Sequence, residues 1–419
     1  MNLLDEDWTT WSPRPNLAPR FERVQEGDDT MLRIDGNSNA SCVGCWFKIV
    51  QVMPRKTYKF SVKFRVSNIT DPIIHVTNLL VYVKDNVTDD NSFTNFIEAY
   101  TKDGAFFVGE QSFATPPFID RAKIQLQFKF SGTGSVEWTD VQLEETSDMH
   151  ERNVVIAAFH GAPPAPSTPE QARSFWADQI DAAMNMKQRP DLVLLPEAIN
   201  TASMPVPVIE DLAEPIPGPT FEMLARKAKE HGTYISTTIY EQDDGLVYNT
   251  AVLIDRDGML AGKYRKTHLY YPEIVNGVTP GDDFPVFTTD FGTVGIIVCY
   301  DSWFVEPCRL IALGGAEIIL FPNAGYDERV LVARAIDNDV YIAVASLGNP
   351  AMLIHPTGFV LEKHEIGPGF ASSEMDLNDR SSPHPNAGGN MMSSGAGKLG
   401  KRNARSFKVF DEINKKIHD

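Results

Sequence analysis

The sequence predicts two folded parts of different class, an all-β sandwich followed by an α/β domain, and three observations predict them. Up to about residue 150, short runs alternate apolar and polar residues with a period of two. From Glu151 onward, near-continuous apolar strands alternate with amphipathic helices. The chain, at 419 residues, is long for one domain and comfortable for two.

In residues 1–150 the alternating runs are "TYKFSVKFRV", "LLVYVKD", "AKIQLQFKF" and "SVEWTDVQLEE", separated by turn-rich stretches such as "SGTGS". Several such strands without a convincing helical segment predict antiparallel sheets packed as a sandwich. In residues 151–377, "NVVIAAF" is a buried strand. "STPEQARSFWADQIDAAMNM" is a helix with Thr168 at the N-cap, Pro169 at the first helical position and Gln171 closing a capping box. "DLVLLPE" is a second apolar strand, and "TFEMLARKAKEHG" a second helix, capped by Thr220 and stopped by Gly232. "TYISTTIY", "TAVLIDRDG", "TVGIIVC" and "EIILFP" add strands, while "EPCRLIALGG" and "RVLVARAIDN" add helices. Strands this apolar belong to a sheet covered on both faces. Residues 378–419 include the low-complexity run "SSPHPNAGGNMMSSGAGKLGKRN", read as a loop and tail because it carries too little apolar surface to fix a fold.

Composition narrows the class of function. Apolar residues make up 42% and charged residues 22%, as in soluble globular proteins, and no stretch has the apolar length of a membrane span. The start, "MNLLDEDW", is acidic and unlike a signal peptide, so a cytoplasmic location is expected. A net charge of −18 argues against nucleic acid or an anionic membrane as partner. Four cysteines (Cys42, Cys45, Cys299, Cys308) are too few for a disulfide framework. The Cys42/Cys45 pair lacks the second ligand pair of a structural zinc site and stands in a β region, which favours two cysteines in or beside a strand.

Three reactive groups stand at or just after strand ends. Glu197 ends "DLVLLPE", Lys266 follows a strand and turn in "GKYRKTHLYYPE", and Cys299 ends "TVGIIVC". The carboxyl ends of sheet strands are where ligands bind in α/β folds. A cysteine needs a base or a nearby cation to act as a nucleophile. A lysine supplies that charge and then holds an oxyanion, and a sheltered glutamate moves protons. Each also has a plainer reading: a buried small residue for Cys299, a loop or cap carboxylate for Glu197, a solvated turn for Lys266.

The segments "LLPEAIN", "YNTAVLIDRDGMLAGKYRKTHL" and "GIIVCYDSWFVEPCRLIALGGAEIILFPNA" resemble, in this order, the three signature segments of the carbon–nitrogen hydrolase (nitrilase-like) superfamily. The resemblance spans residues 153–377. It implies an α-β-β-α sandwich, assembly into homo-oligomers, and hydrolysis of a small-molecule amide, N-carbamoyl compound or nitrile without metal or organic cofactor. Carried over by motif, Cys299 is the nucleophile that forms a thioester, Glu197 the base and acid, and Lys266 the oxyanion holder, helped by the backbone N–H of Tyr300. Glu273 in "LYYPE" matches a second, positioning glutamate. His268 and Trp303 are candidates for lining the substrate pocket. Cys308 is expected to pack on a helix face, and Asn249 and Asn323 match family positions that tie strand ends together. Arg329 and Arg334 lie where a carboxylate-binding arginine would fall.

The front part, from "NLLDEDWTTWSPRPNLAPRFER" to "GSVEWTDVQLEE", is similar in pattern to galactose-binding-like jelly rolls. That similarity implies a possible carbohydrate partner, with Trp8, Trp11, Trp46 and Trp138 either stacking on sugars or filling the core. Asp140 is a candidate for a structural calcium. The expected activity is that of an amidase or N-carbamoyl amide hydrolase. A nitrilase, or an inactive glycan-binding or scaffolding protein on the same fold, stands as the alternative.

Overall fold

The computed structural model describes residues 3–4, 7–27, 29–69, 71–83, 94–97, 100–115, 119–147, 152–166, 168–204 and 209–379. They fall into two compact units, one ending at residue 147 and the other spanning 152–379. Most of the stretch read as a low-complexity tail, residues 380–419, lies outside the described residues.

The first unit is a sandwich of two antiparallel sheets. One has the order Thr9–Trp11, Val43–Gln51, Arg121–Lys129, Val76–Val83, Thr94–Phe96; the other runs Arg20–Glu26, Asp29–Asp35, Ser135–Thr146, Thr57–Ser67, Phe106–Ala114, Thr101–Asp103. Alternation decides which side chains enter the core. Tyr58, Phe60, Val62 and Phe64 point inward from one sheet and meet Trp46, Leu80, Ile124 and Leu126 of the other. Val76–Val83 departs from alternation and is buried at every position, because the run Leu79–Val83 has no polar face. Trp8, Trp46 and Trp138 are buried and Trp11 is exposed, so three of the four tryptophans fill the interior. The Trp138 indole N–H donates to Asn78 Oδ1 at 2.7 Å, tying the sheets together through the core. Cys42 and Cys45 are buried in this unit. Asp140 Oδ2 accepts from Gln142 at 2.7 Å, and the one ion-sized group of acidic and histidine ligands among the described residues is elsewhere, at Asp181, Glu230 and His231.

The second unit is built of four layers, and its three apolar cores show why. One half-sheet contains Leu260–Arg265, Leu246–Ile254, Tyr234–Asp243, Leu192–Leu194 and Asn153–His160, with Gly369–Asp376 returning antiparallel on the last. The other contains Val286–Thr288, Thr293–Ile296, Ile318–Asn323, Tyr341–Ser346, Ala351–Ile354 and Val360–His364. The pair His160–Ser346 joins the halves. Ile156, Ala158, Leu194 and Leu253 pack against Ile296, Leu320, Ala343 and Leu353 between the sheets. On one outer face Ala157, Phe159, Val193 and Ile235 receive the helices Pro169–Met184 and Pro219–His231 through Trp176, Ile180 and Leu224. On the other, Ile319, Phe321, Ile342 and Val344 receive Glu306–Leu313 and Glu328–Asn338 through Cys308, Ile311, Leu331 and Ala335. Period-2 strands with both faces apolar thus yield an α-β-β-α sandwich. Among the described residues, no helix is long and apolar enough to cross a membrane.

Local signals held in part. Thr168 caps the first helix by accepting from the Gln171 N–H, and Gly232 ends the second in the left-handed conformation, φ 60°. Thr220 is not the cap of that second helix. Gly218 occupies the N-cap, and the Glu214 carboxylate takes both the Thr220 N–H (2.7 Å) and its hydroxyl (2.8 Å), as a carboxylate serves a helix N-terminus well.

Candidate active site

The strand ends place four residues together. Glu197 leaves the strand Leu192–Leu194, and the chain turns sharply after it: Ala198 has φ 53°, its N–H held by Thr238 Oγ1 at 2.7 Å. Lys266 follows Leu260–Arg265, with its N–H on the Asn249 carbonyl (2.9 Å) and its carbonyl accepting from the Gly281 N–H (2.9 Å). A side chain at Gly281 would collide with the Arg265 carbonyl, so the segment can close on Lys266 only with glycine there. Glu273 lies in the first turn of Tyr271–Val275. Cys299 opens a 3₁₀ turn, Cys299–Trp303, at φ 43°, a left-handed conformation costly for a non-glycine residue and common where a side chain must be presented at a site.

Lys266, 1% exposed, donates to Glu197 Oε1 at 2.9 Å and to Glu273 Oε2 at 2.6 Å. Asn249, buried on the neighbouring strand Leu246–Ile254, donates to Glu197 Oε1 at 2.9 Å and to Glu273 Oε1 at 2.8 Å. Two donors and two carboxylates therefore form a closed ring of four hydrogen bonds. The Cys299 thiol lies against this ring beside Glu197, its hydrogen bond going to the Gly325 carbonyl at 3.7 Å. Burial first, then the Glu197 charge, push the thiol up to about 12, although Lys266 pulls the other way. Burial opposes the charge on Lys266, but Glu197, Glu273 and the sulfur outweigh it and raise its pKa above the ordinary lysine value. The resting site is therefore a protonated thiol beside a carboxylate and an ammonium. The other three cysteines are fully or almost fully buried, which leaves Cys299 as the half-buried thiol.

Asp301, two residues after Cys299 and fully buried, locks the two segments together. Its Oδ2 accepts from the Tyr264 hydroxyl and the Val298 N–H, both at 2.8 Å. Its Oδ1 accepts from the His268 N–H and bonds the His268 ring, both at 3.0 Å, and accepts from Thr267 Oγ1 at 3.3 Å. The segment carrying Lys266 and the turn carrying Cys299 are thus held on one carboxylate. Asp301→Leu removes these bonds and leaves buried donors unmet, so a loss of about 2–4 kcal/mol is expected. Turnover should fall roughly tenfold or more as the two segments separate. Urea unfolding and kcat check both; a variant with wild-type stability and kcat would show that the lock is dispensable.

The remaining candidates spread around this set. His268 bonds Asp301 and stacks on Phe304 at 4.1 Å between centroids. Tyr300 carries its ring against Tyr270 and Phe304. Trp303 is 52% exposed and is not a core side chain. Arg329 is exposed and fork-bonded to Asp327, while Arg334 is largely buried, its Nε without a partner. Cys308 is fully buried on the helix Glu306–Leu313, and Asn323 donates to the Phe321 and Ala345 carbonyls. Sequence reasoning missed Asp301, the bridging contacts of Asn249, and Tyr240. Tyr240 pairs with Asn249 across the sheet and packs with Val247, Val278 and Leu269; burial, then Glu273 and Glu197, raise its hydroxyl pKa. The period-2 pattern of its strand marks Tyr240 as buried but carries no sign of what it faces.

The Cys299 thiol thus lies against two carboxylates and a lysine at the strand ends of a four-layer sandwich. The family profile "Carbon-nitrogen hydrolase" matches residues 156–380, and the chain belongs to that family. Among relatives, omega-amidase NIT2 of Mus musculus is 32% identical over 238 residues, 49% of this chain and 86% of the relative. A nitrilase of Pyrococcus abyssi is 37% identical over 166 residues, 38% of this chain and 63% of the relative. Among solved structures, a cysteine-to-serine mutant of Nesterenkonia AN1 amidase from the nitrilase superfamily shares the fold, with TM-score 0.50 and 20% identity over 62% of this chain and 97% of that one. The protein is an enzyme, an amidase-like carbon–nitrogen hydrolase.

Proposed function

We propose that Cys299, Glu197, Lys266 and Glu273 hydrolyse a small-molecule amide or N-carbamoyl amide through a thioester on Cys299. The observation that carries this reading is the closed Glu197–Lys266–Glu273–Asn249 ring beside the half-buried thiol. A thiol at about 12 is almost wholly protonated at neutral pH, so attack and deprotonation must be coupled. Glu197 takes the thiol proton as sulfur bonds to the carbonyl carbon, and the carbonyl π pair moves onto oxygen. Two of the three Lys266 N–H groups are spent on carboxylates, so the third is available for that oxyanion, with the Tyr300 N–H as second donor. The C–N bond breaks as Glu197 returns the proton to the leaving nitrogen. Water then attacks the thioester, giving its proton to Glu197, and the sulfur leaves as the thiol.

Ammonia release from aliphatic amides, N-carbamoyl amino acids and nitriles tests the reading, with Cys299→Ala beside the wild type. Turnover of amides or N-carbamoyl compounds by the wild type alone is the expected result. Turnover confined to nitriles would replace the amide substrate while keeping the nucleophile, and equal turnover by the variant would remove Cys299 from the mechanism.

A further inference from the structure

Asn249 spends an unusual amount on this site. It is fully buried, both of its amide hydrogens go to carboxylates, and its Oδ1 is buried without a hydrogen-bond partner. The orientation is forced: rotating the amide would set its oxygen against two carboxylates that can only accept. A buried carbonyl oxygen left without a donor is a cost that calls for an explanation. Tying strand ends together does not supply one, because the backbone already does this: the Lys266 N–H bonds the Asn249 carbonyl, and Asn249 pairs with Tyr240 in the sheet.

The ring supplies the explanation. Asn249 and Lys266 both donate to the same Glu197 oxygen, Oε1. Among the described residues neither donates to Oε2, which leaves that oxygen for the Cys299 proton. Asn249 also stands between two carboxylates that share one ammonium. We propose that Asn249 is a positioning residue of the reaction: its two amide hydrogens hold Glu197 and Glu273 apart and turn Glu197 so that Oε2 receives the thiol proton. This rests on the thioester reading above. The groups facing Glu197 are Lys266 and Asn249 by hydrogen bond, Cys299 by its thiol, and Glu273 and Tyr240 across the ring.

The test needs no substrate. Iodoacetamide alkylation of the full-length protein, followed by mass spectrometry from pH 5 to 9, reads the reactivity of Cys299 itself. Asn249→Leu keeps the volume and removes both donors. The expected result is a rate lowered about tenfold at neutral pH, because Glu197 is no longer turned toward the sulfur. Asn249→Ser, with a single hydroxyl donor that serves one glutamate, should fall between Asn249→Leu and wild type and guards against a leucine variant that does not fold. Circular dichroism confirms folding of each. Alkylation at the wild-type rate in both folded variants would overturn the inference while leaving the thioester reading intact. A wild-type Cys299 that resists alkylation while Cys42, Cys45 and Cys308 react would overturn both.

Discussion

Cys299→Ala is expected to reduce kcat on the preferred amide about ten-thousandfold or more, the scale set by nucleophile removal in acyl-transfer enzymes. The site offers no second thiol: Cys308 is fully buried against a helix, and burial pushes it also up to about 12. Water at the vacated position would still meet Glu197 and Lys266, so residual hydrolysis, rather than none, is the floor. Substrate binding should survive, because the carboxylate–lysine ring does not depend on the sulfur. A steady-state comparison with isothermal titration of an unreactive amide separates these effects; retention of a tenth of wild-type kcat would place the nucleophile elsewhere. The same variant carries a pH signature. The folded state holds the thiol proton more tightly than an unfolded cysteine near 8.5, so the stability linked to it is full below about pH 8.5 and declines as pH rises from there. Removing the thiol should flatten that alkaline fall in Tm.

Lys266→Met should be the second most damaging change, and it acts on folding as well as on rate. The side chain is buried between Glu197 and Glu273, both 6% exposed. Taking one partner out of a buried ionic set typically costs about 3–5 kcal/mol, because the remaining charges stay desolvated. Loss of an oxyanion donor costs about 100- to 1,000-fold in kcat by itself. Without the ammonium, the two glutamates face each other across Asn249. Thermal unfolding at pH 7 beside kcat on the preferred amide checks both effects; a variant with wild-type Tm and kcat would mean that the lysine neither holds the buried pair nor serves the reaction.

Asn249 and Asp301 show how much of the site lies outside its four reactive groups. One sets the glutamates in relation to the lysine, the other sets the lysine segment in relation to the cysteine turn. Neither bears the reacting bond.

What the sequence determined by itself is what periodicity and strand-end position encode. Alternation in residues 57–67 and apolar continuity in 153–160 and 318–323 decide which faces are buried, and so the two architectures, because side-chain direction along a strand is a local property. The strand ends likewise put Glu197 and Cys299 at the edge of the sheet, with Lys266 just beyond. Tertiary structure alone decided the rest. The Glu197–Lys266 bond spans 69 residues and the Glu197–Asn249 bond 52, and no local pattern reports a partner that distant. The N-cap fell at Gly218 rather than Thr220, which Glu214 holds instead, the positive φ at Cys299 arose in a residue that does not favour it, and the strands of 341–376 closed the sandwich without being anticipated. Each depends on which segments meet, and that is settled by burying three cores at once rather than by any one segment.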